Sequence, residues 1–264
     1  MASKPEKLSL IRLYVDAPLA DGAPAPLDGG QTHYLRTVMR RKEGDAIALF
    51  NARDGEFEAT IARLGKKDGA AQVVRRRRAP VTDPDLWLLF APVKRAALEH
   101  IVQKATELGV SRLAPVTTER TVVSRVKEDR LTAIATEAAE QCGRLSAPEV
   151  APLEKLKTAL DAWPAGRRLV FCDEAGDDPA AEWGGRGGRA APAFEALQPY
   201  SGAGASWAVL IGPEGGFSPR ERARLRGLEF VVPVTLGSRI LRADTAAVAA
   251  LTLWQAALGD WRSG

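Results

Sequence analysis

The chain has 264 residues, of which 45% are hydrophobic and 27% are charged, and this composition is typical of a soluble globular protein. No stretch reaches the roughly 20 apolar residues of a membrane span, and residues 1–7 lack the apolar segment of a secretory signal. We therefore expect a cytosolic protein without membrane contact. Cys142 and Cys172 lie far apart without metal-ligand spacing, and the chain has only two histidines, so no metal site is expected.

The net charge of +4 is unevenly distributed along the chain. Residues 1–80 carry 15 Lys and Arg against 10 Asp and Glu, so the whole basic excess lies in the first third. This asymmetry favours a first segment that meets a polyanion, joined to a second segment with a different task.

The first segment is predicted to be rich in short strands, at 8–15, 45–50, 56–64 and 72–74. Several short strands in one small segment favour a β-barrel. Its basic residues cluster at one connection, 33–42, where they favour phosphate contacts. The arginine run 75–78 is expected to follow a strand end, and it fits phosphate contacts and a solvated strand edge equally.

Residues 81–85 are predicted to be a linker between a first domain, 1–80, and a second domain, 86–264, because this stretch has no hydrophobic periodicity and prolines flank or interrupt it. After it, apolar runs that predict strands alternate with patterns that predict helices. The predicted strands are 86–91, 113–116, 168–171, 208–211 and 230–234, and the predicted helices are 94–108, 131–142 and 153–160. Such alternation predicts a mainly parallel sheet covered on both faces. Gly, Ala and Pro dominate 176–205, which we interpret as a surface insertion in preference to an RNA-binding RGG segment.

Two loops in the last third carry the strongest functional signal. Residues 212–217 and 236–242 each follow an apolar strand and precede a helix. Ligands bind beyond the carboxyl ends of strands in open α/β sheets, so these loops are predicted to form two walls of one pocket. An ordinary tight turn is the alternative for either loop alone. Ser218 and Glu221 have the spacing of a capping box for the first helix, and Asp244 or Thr245 is expected to cap the second.

Several familiar sites are excluded by the sequence. It contains neither GxxxxGK[ST] nor a GxGxxG after a strand, and His33 and His100 lie in contexts unrelated to a catalytic triad. What remains is a pocket of backbone groups at three strand ends, 172–174, 211–216 and 236–241.

Six segments of the chain resemble the RsmE family of ribosomal RNA methyltransferases: 12–15, 33–40, 104–110, 140–144, 211–217 and 236–246. The resemblance implies a SPOUT-type α/β domain with a C-terminal trefoil knot, preceded by a small PUA-like β-barrel that binds RNA. It also implies that S-adenosylmethionine is the methyl donor and that the substrate is N3 of a specific uridine in 16S rRNA of the small ribosomal subunit. A homodimer is implied as well. The last helix, 245–258, is apolar on almost every face and must be covered either by packing within the chain or by a subunit interface.

The resemblance further implies roles for individual residues. The methyl donor would be held by Cys172, Glu174, Leu210, Ile211, Gly212, Pro213, Glu214, Gly215, Gly216, Leu236, Gly237, Ile240, Leu241 and Arg242. RNA would be contacted by Arg12, His33, Arg36, Arg40, Arg120, Gln141 and Arg144. Ordinary core packing is the alternative for Leu236, Ile240 and Leu241.

The chemistry of N3 methylation suggests the catalytic residues. The imide proton must leave, and negative charge then spreads over O2 and O4 of the base, where fixed donors lower the barrier. Arg242 and Arg239 are the candidates for that role, together with Arg144 or Arg120. The general base is expected to be Glu214 or Asp244, made more basic by burial.

Two departures from the family pattern keep other functions open. Asp244 stands where the family usually has Glu, and Thr121 where it usually has Ser. Both keep the functional group, but the shorter Asp244 suits a helix cap better than a substrate contact. The alternatives are a SPOUT methyltransferase for a tRNA or another rRNA base, and a non-catalytic RNA-binding assembly factor with a vestigial pocket.

Overall fold

The computed structural model describes residues 10–173, 190–202 and 206–262. Glu174 and the glycine-arginine run 184–189 lie outside the described residues. The chain divides into two compact units, one formed by Met1–Thr82 with Ala139–Ala147 and the other by Asp83–Ala138 with Pro148–Gly264. None of the helices in the described ranges is long and apolar enough to cross a membrane.

The first unit is built on a five-stranded sheet of order β1-β3-β4-β5-β2. The strands are β1 (Arg12–Tyr14), β2 (Pro24–Leu27), β3 (Ala46–Asn51), β4 (Gly55–Leu64) and β5 (Gly69–Arg78). β1 is parallel to β3, and the other pairs are antiparallel. A short helix, α1 (Gly29–His33), continues as a π-helical turn, Tyr34–Val38.

The arginine run 75–78 lies within β5 and does not follow a strand end as the sequence suggested. Register with β4 brings the run beside acidic residues: Arg75 pairs with Glu58 at 2.9 Å, and Arg77 lies 3.6 Å from Glu56. Part of the charge of the run is therefore compensated inside the unit.

Arg12 is buried in the first unit, where it is only 6% exposed. Its Nε donates to Glu56 Oε2 at 2.7 Å, and its Nη1 donates to the carbonyls of Ala139 at 2.9 Å and Glu140 at 2.8 Å. Its guanidinium also lies over the Phe50 ring, 4.1 Å from the centroid. Its Nη2 donates to the carbonyl of Arg144 at 2.5 Å, so every edge of the guanidinium is occupied. We therefore assign Arg12 a structural role in place of the RNA contact that the resemblance implied.

The second unit is built on a parallel sheet of order β11-β13-β10-β12-β6-β7-β8, with β9 paired to β7. Its strands are β6 (Leu86–Phe90), β7 (Arg112–Thr117), β8 (Glu149–Val150), β9 (Glu154–Lys155), β10 (Arg168–Cys172), β11 (Ala191–Pro192), β12 (Trp207–Ile211) and β13 (Val231–Thr235). Its helices are α2 (Arg95–Glu107), α3 (Glu128–Cys142, with its last four residues in the first unit), α4 (Leu156–Asp161), α5 (Ala193–Leu197), α6 (Pro219–Arg226) and α7 (Ala243–Leu258). Because all these strands are parallel, their carboxyl ends meet at one edge of the sheet.

Part of the predicted surface insertion belongs to the core of the second unit. β11 pairs with β13 at the sheet edge, and Ala193 and Leu197 of α5 are buried in the main hydrophobic cluster. Composition alone gave no sign of this, since a two-residue strand and a five-residue helix are too short to show a hydrophobic period.

The two helices that open at the predicted loops begin in different ways. The capping box at α6 is confirmed: Ser218 Oγ accepts from Glu221 N at 3.1 Å, and Glu221 Oε2 accepts from Ser218 N at 2.9 Å. The predicted cap of α7 is wrong, because Arg242 occupies the N-cap position without a side-chain cap. Asp244 lies in the first turn, where its Oδ1 accepts from the adjacent Thr245 N at 2.9 Å.

Asp54 gives the first unit a predictable response to acid. Its carboxylate accepts hydrogen bonds from Arg53 and from the Leu19 N–H, and these lower its pKa from 3.8 to about 2. A carboxylate whose pKa is lower in the folded state stabilises the fold at pH values above its pKa in the unfolded state. This contribution is lost as the pH falls through the pKa of the folded state. We therefore expect stability to fall between about pH 4 and pH 2, and less so in Asp54→Asn. A carbon NMR titration of the Asp54 carboxyl checks the cause; a midpoint near the unfolded value would contradict it.

Candidate active site

A cavity of about 340 Å³ opens at the carboxyl edge of the second unit's sheet. It is lined by the ends of β10 and β12, by the loop 212–217, by the loop before α7, by the start of α7 and by one residue of α6. The lining residues are Cys172, Asp173, Ile211, Gly212, Pro213, Glu214, Gly215, Gly216, Phe217, Arg222, Ile240, Leu241, Arg242, Ala243 and Ala246. Its volume lies in the range of small-molecule and cofactor sites.

Most residues assigned to the methyl donor by resemblance meet in this cavity: Cys172, Ile211, Gly212, Pro213, Glu214, Gly215, Gly216, Ile240, Leu241 and Arg242. Leu210 does not, because it is 0% exposed and packs in the core with Leu89 and Phe171. Leu236 packs against the main core, and Gly237 is exposed outside the lining. Leu236 therefore packs in the core, Ile240 is 92% exposed at the cavity, and Leu241 both packs against the core and lines the cavity.

The position of Gly212 requires a residue without a side chain. A Cβ there would lie 2.7 Å from Cε2 of Phe217, and that ring is held edge-on against Phe171 with centroids 5.0 Å apart. The loop 212–217 therefore folds its aromatic residue back onto its own first glycine. This tight packing leaves the backbone of the loop as the cavity wall.

A buried charge cluster that was not predicted from the sequence lies beside the cavity. Asp173 is 1% exposed, and its two carboxylate oxygens accept from Nε of Arg222 and from Nε of Arg226, each at 2.8 Å. Asp173 directly follows the last residue of β10, while both arginines lie on α6. The cluster therefore holds α6, which follows the loop 212–217, against the carboxyl end of β10. The spacing of Arg222 and Arg226 along a charged helix does not distinguish such a role from solvent exposure.

The catalytic candidates occupy different places. Arg242 and Glu214 line the cavity and are exposed to it. Arg239 is exposed but lies outside the lining. Arg120 Nη1 donates to the carbonyl of Gly215 at 3.0 Å, so it is fixed next to the cavity loop. Burial was the reason for expecting Glu214 to act as a base, and its exposure removes that reason.

The remaining RNA candidates lie in the first unit. His33, Arg36 and Arg40 are exposed around α1 and the π-helical turn, and Arg40 has a left-handed backbone with φ of 52°. Gln141 is exposed and lines a cavity of about 330 Å³ with Tyr34 and Met39, among others. Arg144 is partly buried, and its Nη2 donates to Ser146 Oγ at 2.9 Å.

Metal chemistry has no counterpart in the described residues: no group of three or more His, Cys, Asp or Glu side chains in them is placed to hold a metal ion. The cavity itself offers backbone groups, apolar side chains, the exposed side chains of Arg242 and Glu214, and the ion pair of Asp173 with Arg222. This is the lining of a site for an organic ligand.

Comparison with known proteins identifies the family. The RNA methyltransferase domain matches residues 81–255, and the RNA methyltransferase PUA domain matches residues 27–74. Ribosomal RNA small subunit methyltransferase E of Rickettsia conorii is 31% identical over 242 residues, which cover 91% of this chain and 93% of that protein. The chain belongs to the RsmE family. The Bacillus subtilis member is 30% identical, with 86% of this chain and 87% of that protein covered.

Solved structures related to this RsmE-family chain agree with its fold. A methyltransferase from Legionella pneumophila, in complex with the bound cofactor SAM, is 30% identical with a TM-score of 0.77 and covers 95% of this chain and 99% of its own. The Neisseria gonorrhoeae ribosomal RNA small subunit methyltransferase E, bound to S-adenosyl methionine, is 25% identical with a TM-score of 0.77. The match covers 96% of this chain and 99% of that protein. The predicted fold class, a PUA-like domain followed by a SPOUT-type methyltransferase domain, is confirmed.

Proposed function

We propose that this protein transfers the methyl group of S-adenosylmethionine to N3 of a specific uridine in 16S rRNA of the small ribosomal subunit. The observation that carries the proposal is the cavity at the carboxyl edge of the parallel sheet, where ten residues assigned by family resemblance meet. An assembly factor with a vestigial pocket is disfavoured, because the cavity has a volume of about 340 Å³ and is lined by residues of both loops, 212–217 and 240–242.

The residues of the cavity fit S-adenosylmethionine. Ile211, Ile240 and Leu241 offer apolar surface for the adenine, and the backbone of the loop 212–217 can come close because Gly212 carries no side chain. Glu214 offers a carboxylate at the same wall. When bound, the cofactor supplies an electrophilic methyl group on its sulfonium sulfur.

The protein's own task is to position the uridine and to stabilise its deprotonated imide. The reaction forms a bond from N3 to the methyl carbon, breaks the bond from that carbon to sulfur and releases the N3 proton to solvent or to a base. Arg242 lines the cavity and can donate to O2 or O4 as negative charge develops there. Alignment of N3 with the methyl group supplies a further part of the rate.

Residues 1–80 form the RNA-binding domain, 81–85 form the linker, and 86–264 form the methyltransferase domain with its C-terminal trefoil knot. Exposed His33, Arg36 and Arg40 contact phosphates of the substrate, which we expect to be the assembled subunit in the cytosol. The protein acts as a homodimer.

Primer extension on 16S rRNA tests this function in cells. A methyl group at N3 blocks the pairing edge of uridine, so reverse transcriptase stops there. We expect one stop to vanish in a strain that lacks the gene and to return when the gene is restored. If all stops persist in the deletion strain, the protein does not make this modification.

A further inference from the structure

A second groove, of about 380 Å³, lies in the methyltransferase unit. Its floor is apolar and comprises Val93, Leu98, Val123, Val126 and Leu131. Its rim is basic and comprises Lys94, Arg95, Arg125, Lys127 and Arg130, with Glu99 as the one acidic lining residue. We call this the basic groove.

Among the described residues, five cations and one carboxylate line the basic groove. Glu99 Oε1 accepts from Arg130 Nε at 2.8 Å and from Arg95 Nε at 2.7 Å, so its single charge is shared by two guanidinium groups. Lys94, Arg125 and Lys127 are exposed, and within the described ranges their side chains have no hydrogen bond or ion pair. The groove thus presents positive charge around an apolar floor.

The basic groove lies at the same edge of the sheet as the active-site cavity. Val93 follows β6, and 123–127 follow β7; β6 pairs with β12, whose end forms the cavity wall. The segment 118–127 also joins the two sites directly. At its start Arg120 donates to the carbonyl of Gly215 in the cavity loop, and at its end Arg125 and Lys127 line the groove.

We propose that the basic groove binds a single-stranded nucleotide of the substrate RNA next to the target uridine. An unpaired base packs on the apolar floor, and the phosphates on either side of it meet Lys94, Arg125 and Lys127. Single-strand sites combine cations for the phosphates with surfaces on which bases pack, most often aromatic rings or Arg guanidinium planes. In the basic groove the aliphatic floor and the guanidinium groups of Arg95 and Arg130 are available as that surface. This inference rests on the proposed function and adds a site that holds the strand beside the reacting base.

Reversal of one rim charge tests the basic groove. Arg125→Glu is expected to weaken binding of a fluorescent oligouridylate about tenfold and to lower the slope of log affinity against log salt by about 0.7 to 1. Arg168→Glu makes the same charge change at the opposite edge of the sheet, where Arg168 starts β10, and serves as the control. Because the Arg168 guanidinium lies over the Tyr200 ring, urea unfolding of both variants first checks that they are folded. Calorimetry should show unchanged S-adenosylmethionine binding in both variants. Equal RNA affinity and salt slope for the two variants would overturn the proposal.

Photochemical cross-linking locates the strand independently of any variant. Small ribosomal subunits reconstituted with 4-thiouridine beside the target uridine should cross-link to a peptide from 93–99 or 123–131. Cross-links found only outside these segments would overturn the proposal. The wild-type protein is assayed for methyl transfer on the same subunits: transfer without these cross-links rejects the groove alone, whereas no transfer rejects the proposed function itself.

Discussion

Asp173→Ala is expected to lower the free energy of unfolding by about 3–5 kcal/mol and to weaken binding of the methyl donor. Removal of one partner from a buried ion pair leaves the other charge desolvated, and this carries the largest cost among ion-pair changes. Asp173 is 1% exposed and accepts from both Arg222 and Arg226. Because Asp173 and Arg222 also line the cavity, the loss acts directly on the wall of the donor site. Urea unfolding and calorimetry measure the two effects.

Asp161→Ala is the matched control for that change. Asp161 also pairs with an arginine of α6, Arg224, and with Lys157, but its side chain is 50% exposed. Exposed pairs contribute at most about 1 kcal/mol because water screens them. If the two alanine variants lose similar stability, the Asp173 cluster does not hold the cavity together as we describe.

Arg242→Ala is expected to slow methyl transfer by about 100- to 1000-fold while S-adenosylmethionine binding stays close to that of the wild type. The loss has this size because a donor fixed where charge develops acts mainly on the transition state. Arg242 is exposed to the cavity and lies at the N-cap of α7, so its backbone is held by the helix while its side chain is free to reach the base. Single-turnover transfer to small ribosomal subunits gives the rate of the chemical step.

Arg239→Ala serves as the comparison within the same loop. Arg239 has the same charge but lies outside the cavity lining, so its loss is expected to cost less than about tenfold. A larger loss for Arg239→Ala than for Arg242→Ala would transfer the catalytic role to Arg239.

The sequence was a good guide to the elements that position the site. Apolar runs such as 207–211 are buried on both faces, as a parallel strand requires, and the spacing of Ser218 and Glu221 identified the start of α6. Chain order and the rule for carboxyl strand ends then predicted that the loops after β10, β12 and β13 would meet. The cavity brings ten of the residues assigned by resemblance together.

Long-range contacts of single charged side chains could not be predicted from the sequence. Arg12 sits in a basic segment, yet it is buried against Glu56 and the carbonyls of Ala139 and Glu140, more than 120 residues away along the chain. Asp173 and Arg222 likewise show no hydrophobic period, because buried charges follow partners and not patterns. The assignment of Leu210 to the methyl-donor site overlooked the alternation of a strand. Successive residues face opposite sides, so Ile211 reaches the cavity while Leu210 packs in the core.

The central claim is that this protein methylates N3 of a uridine in 16S rRNA. The most direct test is transfer from radiolabelled S-adenosylmethionine to small ribosomal subunits from cells that lack the protein, with naked 16S rRNA in parallel and the labelled nucleoside identified by mass spectrometry. We predict label in the assembled subunits and N3-methyluridine as the labelled nucleoside. Label on any other nucleoside, or no label although the protein binds the methyl donor, would contradict the claim.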